Sequence, residues 1–277
     1  MFDLVISGGD SFTFGAELVT DNSVHPNSNS WANLVAQRIG KRHVNLARSG
    51  RSNSYITRHV LCELQQALQQ GISPDKIFVQ VMWTFTNRCE FAIGTDTDEY
   101  DSPWLGLTPY SDCDETKSEW FSKVDKTLPT WQTAYNSLKL SYNRKKKLGV
   151  IDFATQFKRL VQSNPRNDSY TSVKEILLLQ NTLLLHKIPH IFTYVNQHVM
   201  DGVLNDMHYD QYLTNVRAFI NHDSWFKFPG SYQKYIGFDD WARQNNYQYA
   251  TSHPLESAHR DAADLIYNFI KSQGYVS

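Results

Sequence analysis

Apolar and polar positions alternate in blocks along the first ninety residues, and the blocks predict a strand, helix, strand, helix, strand order. Phe2 to Ser7 is an almost unbroken apolar run ended by Gly8-Gly9, which reads as a strand buried on both faces. A polar loop, Thr20 to Asn29, follows. Ser30 then caps a predicted helix over Trp31 to Ile39, with Trp31, Leu34, Val35 and Ile39 on one side and Gly40 as its stop. His43 to Ala47 reads as a second short strand. Ile56, Val60, Leu64 and Leu68 recur at helical spacing in a helix opened by Asn53 or Ser54 and running to about Gln70. Lys76 to Trp83 is a third, strongly β-type run. Strands alternating with helices predict a parallel sheet with helices on its faces, an α/β class.

Beyond Trp83 the periodicity breaks down. Residues 88–147 mix Asp, Thr, Trp, Tyr and Pro and read as an insertion over the loop end of the sheet, with one helix near Trp131 to Arg144. Helical stripes return at Gly149 to Val161 and Ser172 to His186, and a fourth strand is predicted at His190 to Val195 after Pro189. A second irregular insertion covers 196–248. Glu256 to Lys271 closes the chain as a helix with Ala263, Ile266, Phe269 and Ile270 inward. The expectation is a single domain over 1–277 carrying two loop-rich insertions.

Charge narrows the partners. With 27 Lys+Arg against 28 Asp+Glu, no polycationic surface marks out a nucleic acid or an anionic membrane. No run approaches the roughly 18 apolar residues of a membrane span, and Met1 to Leu4 lacks a basic leader, so a soluble cytoplasmic chain is expected. Three cysteines without Cys-x-x-Cys spacing argue against disulfides and a zinc knuckle. His198, Asp201, Asp206, His208 and Asp210 crowd one loop but in no metal-binding register, and no metal or cofactor is expected. No Gly-x-Gly-x-x-Gly or Gly-Lys-Ser/Thr follows a predicted strand, which argues against dinucleotides and a P-loop.

The chemistry gathers at the predicted strand ends. Gly9-Asp10-Ser11 leaves a hydroxyl at the carboxyl end of the first strand, where open α/β sheets hold their ligands. Asn45 to Gly50 places a glycine beyond the second strand, and His253-Pro254 stands before the terminal helix. A serine needs a base to take its proton and N–H donors for the oxygen anion that forms. Together Gly9-Asp10-Ser11 with Gly15, Asn45 to Gly50, and His253-Pro254 with His259 resemble the SGNH (GDSL-type) hydrolase family. With Trp83 ending the third predicted strand, the chain also looks similar to SGNH-like proteins of phages.

The resemblance implies a flavodoxin-like three-layer α/β/α fold with Ser11 as nucleophile and His253 as base. It implies oxyanion donors at Ser11 N, Gly50 N and the amide of Asn87, although the family's Gly-x-Asn-Asp motif reads Trp83 to Arg88 here. Asp10, Asn45 and Ser252 would support the site, Asp10 as an acceptor that shapes the loop. The family's orienting Asp, three residues before the histidine, is Ala250 in this chain. A backbone carbonyl, Ser252 or a carboxylate elsewhere, such as Asp239 or Asp240, is left to hold the imidazole. Arg48, Arg51 and Arg88 follow strand ends and are candidates for binding an anionic group. Trp104, Tyr110, Trp120 and Trp131 are candidates for a sugar-binding wall. The function expected is ester hydrolysis on a small-molecule or glycan ester, plausible on an O-acylated carbohydrate, with O-acyl transfer and a catalytically weakened binding module as alternatives.

Overall fold

The computed structural model describes residues 1–19, 24–92, 104–109, 111–128, 131–147, 149–162, 165–197, 211–230 and 236–276. Its centre is a four-stranded parallel sheet of β1 (Phe2–Gly8), β2 (Gly40–Asn45), β3 (Ile77–Trp83) and a further strand, β6 (His190–Tyr194), in the order β2-β1-β3-β6. This is the strand order of flavodoxin-like sheets, whose direction of winding reverses beside β1. The carboxyl ends of β1 and β3 flank that crevice.

β1, β3 and β6 are buried on both faces, as the interior of a parallel sheet requires, whereas the edge strand β2 is partly exposed. Leu4, Ile6, Val79, Val81 and Trp83 face α3 (Asn53–Gln69) and α7 (Pro165–Leu185). Val5, Phe78 and Met82 face α2 (Trp31–Ile39) and the terminal helix, α10 (Glu256–Ser272). Ser7 and Gln80 interrupt that second face and hydrogen-bond to one another. Gln80 Nε2 donates to Ser7 Oγ at 2.7 Å and to the Ala32 carbonyl at 2.8 Å. Ser7 Oγ is also 2.7 Å from His43 Nε2.

The terminal helix is tied to α2 by a side chain. The fully buried His259 accepts a hydrogen bond on Nδ1 from Trp31 N, at 3.1 Å, and so satisfies an orphan donor at the start of α2. Docking α10 there brings the segment just before it, with His253, over the carboxyl end of β1.

The second strand begins three residues earlier than expected. Gly40 does not turn the chain after α2; its backbone is extended and pairs with Phe2. A Cβ at Gly40 would stand 2.4 Å from Val5 Cγ2, so close packing against β1 accounts for the glycine.

The first insertion is more regular than its composition suggests. β4 (Cys89–Ala92) and β5 (Trp104–Leu107) form a separate antiparallel pair, and α5 (Trp131–Lys147) follows a short helix, α4 (Glu119–Ser122). Arg58 of α3 anchors the pair by donating to both carboxylate oxygens of Glu90, while the Trp104 ring stands 4.1 Å from its guanidinium carbon. Four-residue strands carry too little alternation to be read from sequence. The next helices are α6 (Val150–Phe157) and, in the second insertion, α8 (Gln211–Arg217) and α9 (Phe238–Gln244). No helix among the described residues is long and apolar enough to cross a membrane.

Candidate active site

The chain leaves β1 through Gly8 and Gly9 and at once forms one helical turn, α1 (Ser11–Phe14). Asp10 caps it: Oδ1 accepts from Phe12 N at 3.1 Å, and the Asp10 carbonyl accepts from Thr13 N and Phe14 N. The cap points Ser11 into the crevice at the sheet end. Asp10 is itself wholly buried, and its other oxygen accepts from Thr84 Oγ1 at 2.6 Å and Arg88 Nη1 at 2.7 Å. Thr84 is fixed in turn by Asn53, which accepts from its N–H and donates to its carbonyl.

Replacing Asp10 by alanine would leave the Arg88 guanidinium without its carboxylate and α1 without its cap. Loss of one partner of a buried ion pair costs about 3 kcal/mol, and a fall of that size in urea-unfolding stability is expected. A loss within about 0.5 kcal/mol, the range of ordinary surface substitutions, would show that the pair does not hold the loop.

After α1 the chain turns twice through left-handed backbone, at Gly15 (φ 79°) and at Glu17 (φ 66°). Glycine adopts this conformation freely, whereas glutamate is strained in it. The result is that the Glu17 carboxylate faces the turn 250–253. Glu17 Oε2 accepts from Ser252 N at 2.8 Å and His253 N at 3.0 Å, and lies 3.0 Å from His253 Nδ1. On the other side of the ring, His253 Nε2 is 2.8 Å from Ser11 Oγ. With Nδ1–H facing a carboxylate, Nε2 carries the lone pair that accepts the Ser11 hydroxyl proton. Hydroxyl, imidazole and carboxylate thus stand in one hydrogen-bonded line.

Burial pushes the Glu17 carboxyl up, but the His253 ring and the N–H groups of Ser252 and His253 outweigh it and hold the group below the usual carboxylate range. Glu17 is therefore ionised wherever the protein is near neutrality. The Phe12 ring packs 4.7 Å from the imidazole and shields the line from one side.

Sequence reasoning missed Glu17. Asp239 and Asp240, considered for its place, are engaged elsewhere: Asp239 with Arg243 and Tyr249, Asp240 with the N–H groups of Gln197 and Gly237. Ser252 does reach the ring, its Oγ lying 3.0 Å from Nδ1. The one signal available was that Glu17 is the sole charged residue between Asp10 and Asp21.

Gly50 takes a left-handed conformation (φ 73°) on the loop after β2 and lines the same cleft as Ser11, Asn87 and His253, a cavity of about 660 Å³. Among the described residues neither Ser11 N–H nor Gly50 N–H has a protein acceptor. Both are thus candidate donors to a group bound in that cleft. Asn45 joins the two loops, donating from Nδ2 to the Thr13 carbonyl and accepting on Oδ1 from Ala47 N.

The three arginines separate. Arg88 is committed to Asp10, Arg51 lines the cleft, and Arg48 lies over the Phe14 ring away from the cleft lining. Of the four aromatics considered for a sugar-binding wall, Trp104 covers Arg58 and Trp131 packs on Tyr135, while Tyr110 and the side chain of Trp120 lie outside the described residues. The polar loop with His198, Asp201, Asp206, His208 and Asp210 is also outside them.

A second cavity of about 550 Å³ adjoins the first at Ser49, Leu138 and His253 and is lined largely by apolar groups, including Leu18, Phe121 and Leu255.

No family model matches the chain, and no curated protein does. Solved structures with which it aligns include the psychrotrophic esterase EstA from Pseudoalteromonas sp., inhibited by monoethylphosphonate, at 11% identity and a TM-score of 0.45 over 98% of both chains. A lipolytic G-D-S-L family protein from Veillonella parvula aligns at 13% identity and a TM-score of 0.43 over 96% of both. An acetyl xylan esterase, Est2A, from the rumen bacterium Butyrivibrio proteoclasticus aligns at 14% identity and a TM-score of 0.45, over 100% of this chain and 66% of that one.

Proposed function

We propose that this protein is a serine ester hydrolase of SGNH type, acting through an acyl-enzyme on short O-acyl groups of a hydroxyl-rich alcohol such as a carbohydrate. The observation that carries the reading is the continuous line from Ser11 Oγ through His253 to Glu17, at 2.8 and 3.0 Å.

In the first half-reaction Ser11 Oγ attacks the acyl carbonyl while its proton passes to His253 Nε2. The imidazolium that forms is stabilised by Glu17, which stays ionised. Negative charge on the carbonyl oxygen is met by the N–H groups of Ser11 and Gly50, with the Asn87 amide as third donor. Collapse breaks the bond to the alcohol, whose oxygen takes the proton back from Nε2. Water then repeats the sequence on the acyl-enzyme and frees the acid and Ser11. The hydroxyl and amide groups of Ser49, Asn87, Thr108 and Ser141 along the cleft support a hydroxylated alcohol.

A weakened binding module was suggested by Ala250, which removes the expected carboxylate. Glu17 supplies one from another segment and takes away the ground for that alternative. Transfer to a second alcohol shares the same acyl-enzyme and is separated by product analysis with sugar acceptors present.

A serine-directed fluorophosphonate is expected to modify the chain once, at Ser11, as read by peptide mass spectrometry. Modification that persists unchanged in Ser11→Ala would remove the assignment.

A further inference from the structure

Six charged side chains line the cleft that holds Ser11: Arg51, Arg88, Lys145 and Arg243, with Glu115 and Asp239. Most of this charge is neutralised inside the protein. Arg88 pairs with the buried Asp10 at 2.7 Å, and Arg243 with Asp239 at 3.2 Å. Lys145 and Glu115 are both half-buried and offset one another at longer range. Burial lowers the ammonium and raises the carboxyl, and each opposes that effect in the other.

Arg51 remains. Among the described residues its guanidinium has no carboxylate partner and donates no hydrogen bond. It is nevertheless held in place, with its carbon 4.9 Å from the centre of the Tyr55 ring and Nη1 against Gly106, where a Cβ would stand 3.4 Å away. Stacking fixes the plane of a guanidinium without using its N–H donors. Arg48 and Arg58 add positive charge around Tyr55, and Glu90 is the carboxylate facing them there, already gripped by Arg58. The spare cation is the residue next to Gly50, one peptide from a candidate oxyanion donor.

We propose that Arg51 is an anion subsite, so that the natural ester belongs to a molecule that also carries a carboxylate or a comparable oxyanion close to the acylated position. The proposal rests on the hydrolase reading of Ser11 and His253, and deepens it. A carboxylate or sulfonate oxygen pair matches the fork of N–H donors that the Tyr55 stack leaves open. The anion binds before and after acyl transfer alike, so Arg51 acts on affinity and specificity, while the oxyanion itself is left to the N–H donors.

The test compares phenyl acetate with three charged relatives: 3-acetoxybenzoate and 3-acetoxybenzenesulfonate, with the anion on the alcohol, and monophenyl succinate, with it on the acyl side. Wild type is expected to favour at least one anionic ester over phenyl acetate in kcat/KM, and the favoured ester identifies the anion and its side. In Arg51→Gln that preference falls about tenfold to a hundredfold through KM, as loss of a charge-assisted hydrogen-bonded pair implies. Arg51→Lys restores part of it, and added salt weakens it in wild type. A wild type without preference, or an Arg51→Gln variant that slows all four esters in proportion, would overturn the subsite. If wild type turns over none of the four, the hydrolase reading fails separately. Titration with benzoate and benzenesulfonate then decides the subsite: binding lost in Arg51→Gln upholds it, and no binding to wild type ends it.

Discussion

Replacing Glu17 by glutamine is expected to lower kcat for a simple acetyl ester by about 10²–10⁴, with little change in KM, since substitution of an orienting carboxylate by an amide in a serine–histidine relay has an effect at the top of that range. The amide can still accept from Ser252 N and His253 N, so the turn that carries the imidazole stays in place. What is lost is the negative charge at His253 Nδ1. Ser252 N, His253 N and Nδ1 all meet the same oxygen, so the amide oxygen keeps that place and the tautomer, and the loss is that of the charge which stabilises the imidazolium formed when Nε2 takes the Ser11 proton. The rate of fluorophosphonate labelling should fall with kcat, because both depend on the same proton transfer. Ser252→Ala distinguishes the rival arrangement. If the Ser252 hydroxyl, 3.0 Å from Nδ1, were the group that orients the ring, the alanine variant would show the larger loss and Glu17→Gln would be nearly silent.

The carboxylate escaped sequence reasoning for a physical reason. Ser11, Gly50 and His253 are legible because parallel strands deliver their carboxyl ends to one edge, and because a terminal helix carrying an inward apolar stripe packs beside them. Those rules act on whole elements and reach any residue just beyond an element's end. Glu17 follows no such rule. Its contact with His253 spans 236 residues of chain and depends on two left-handed positions in succession after a single helical turn, one of them at a residue that seldom adopts that conformation. Hydrophobic periodicity carries no information about such a bend. The same limit hid the pair of four-residue strands that brings Gly106 against Arg51. It also hid the inward commitment of Arg88 to Asp10, since a strand-end arginine looks the same in sequence whether it faces substrate or a buried acid. Gly40 shows the opposite failure, where a residue read for its turn-forming freedom serves close packing against Val5.

The buried histidines that make this architecture possible should also make it acid-labile. Burial lowers His43, beside Ser7 on the sheet, to about 4 and His259, beneath α2, to about 3, from an ordinary value near 6.5. Above pH 6.5 both are neutral in folded and unfolded chains and make no difference. As pH falls below 6.5 the unfolded chain binds protons that the native state refuses, so stability drops with falling pH and continues to drop until the native rings titrate near 4 and below. For His43 this window corresponds to roughly 3 kcal/mol, and for His259 to a similar or larger amount, against a total of about 5–15 kcal/mol for a typical domain. Glu17, held below the usual carboxylate range by His253, adds loss at the acid end of the same window. Asp168, raised to about 6 by burial, works the other way, because its native form takes up a proton before the unfolded one does. The sum of the two rings exceeds that opposing effect, and a net fall in the urea-unfolding free energy from pH 6.5 to about pH 4 is expected, followed by circular dichroism. His43→Gln isolates one ring: the dependence of urea-unfolding free energy on pH between 5 and 6 should become shallower by about 1 kcal/mol per pH unit, the slope of a single proton. An unaltered slope in that variant would mean that His43 is protonated inside the fold, and that the Ser7–Gln80 network carries a charge rather than excluding one.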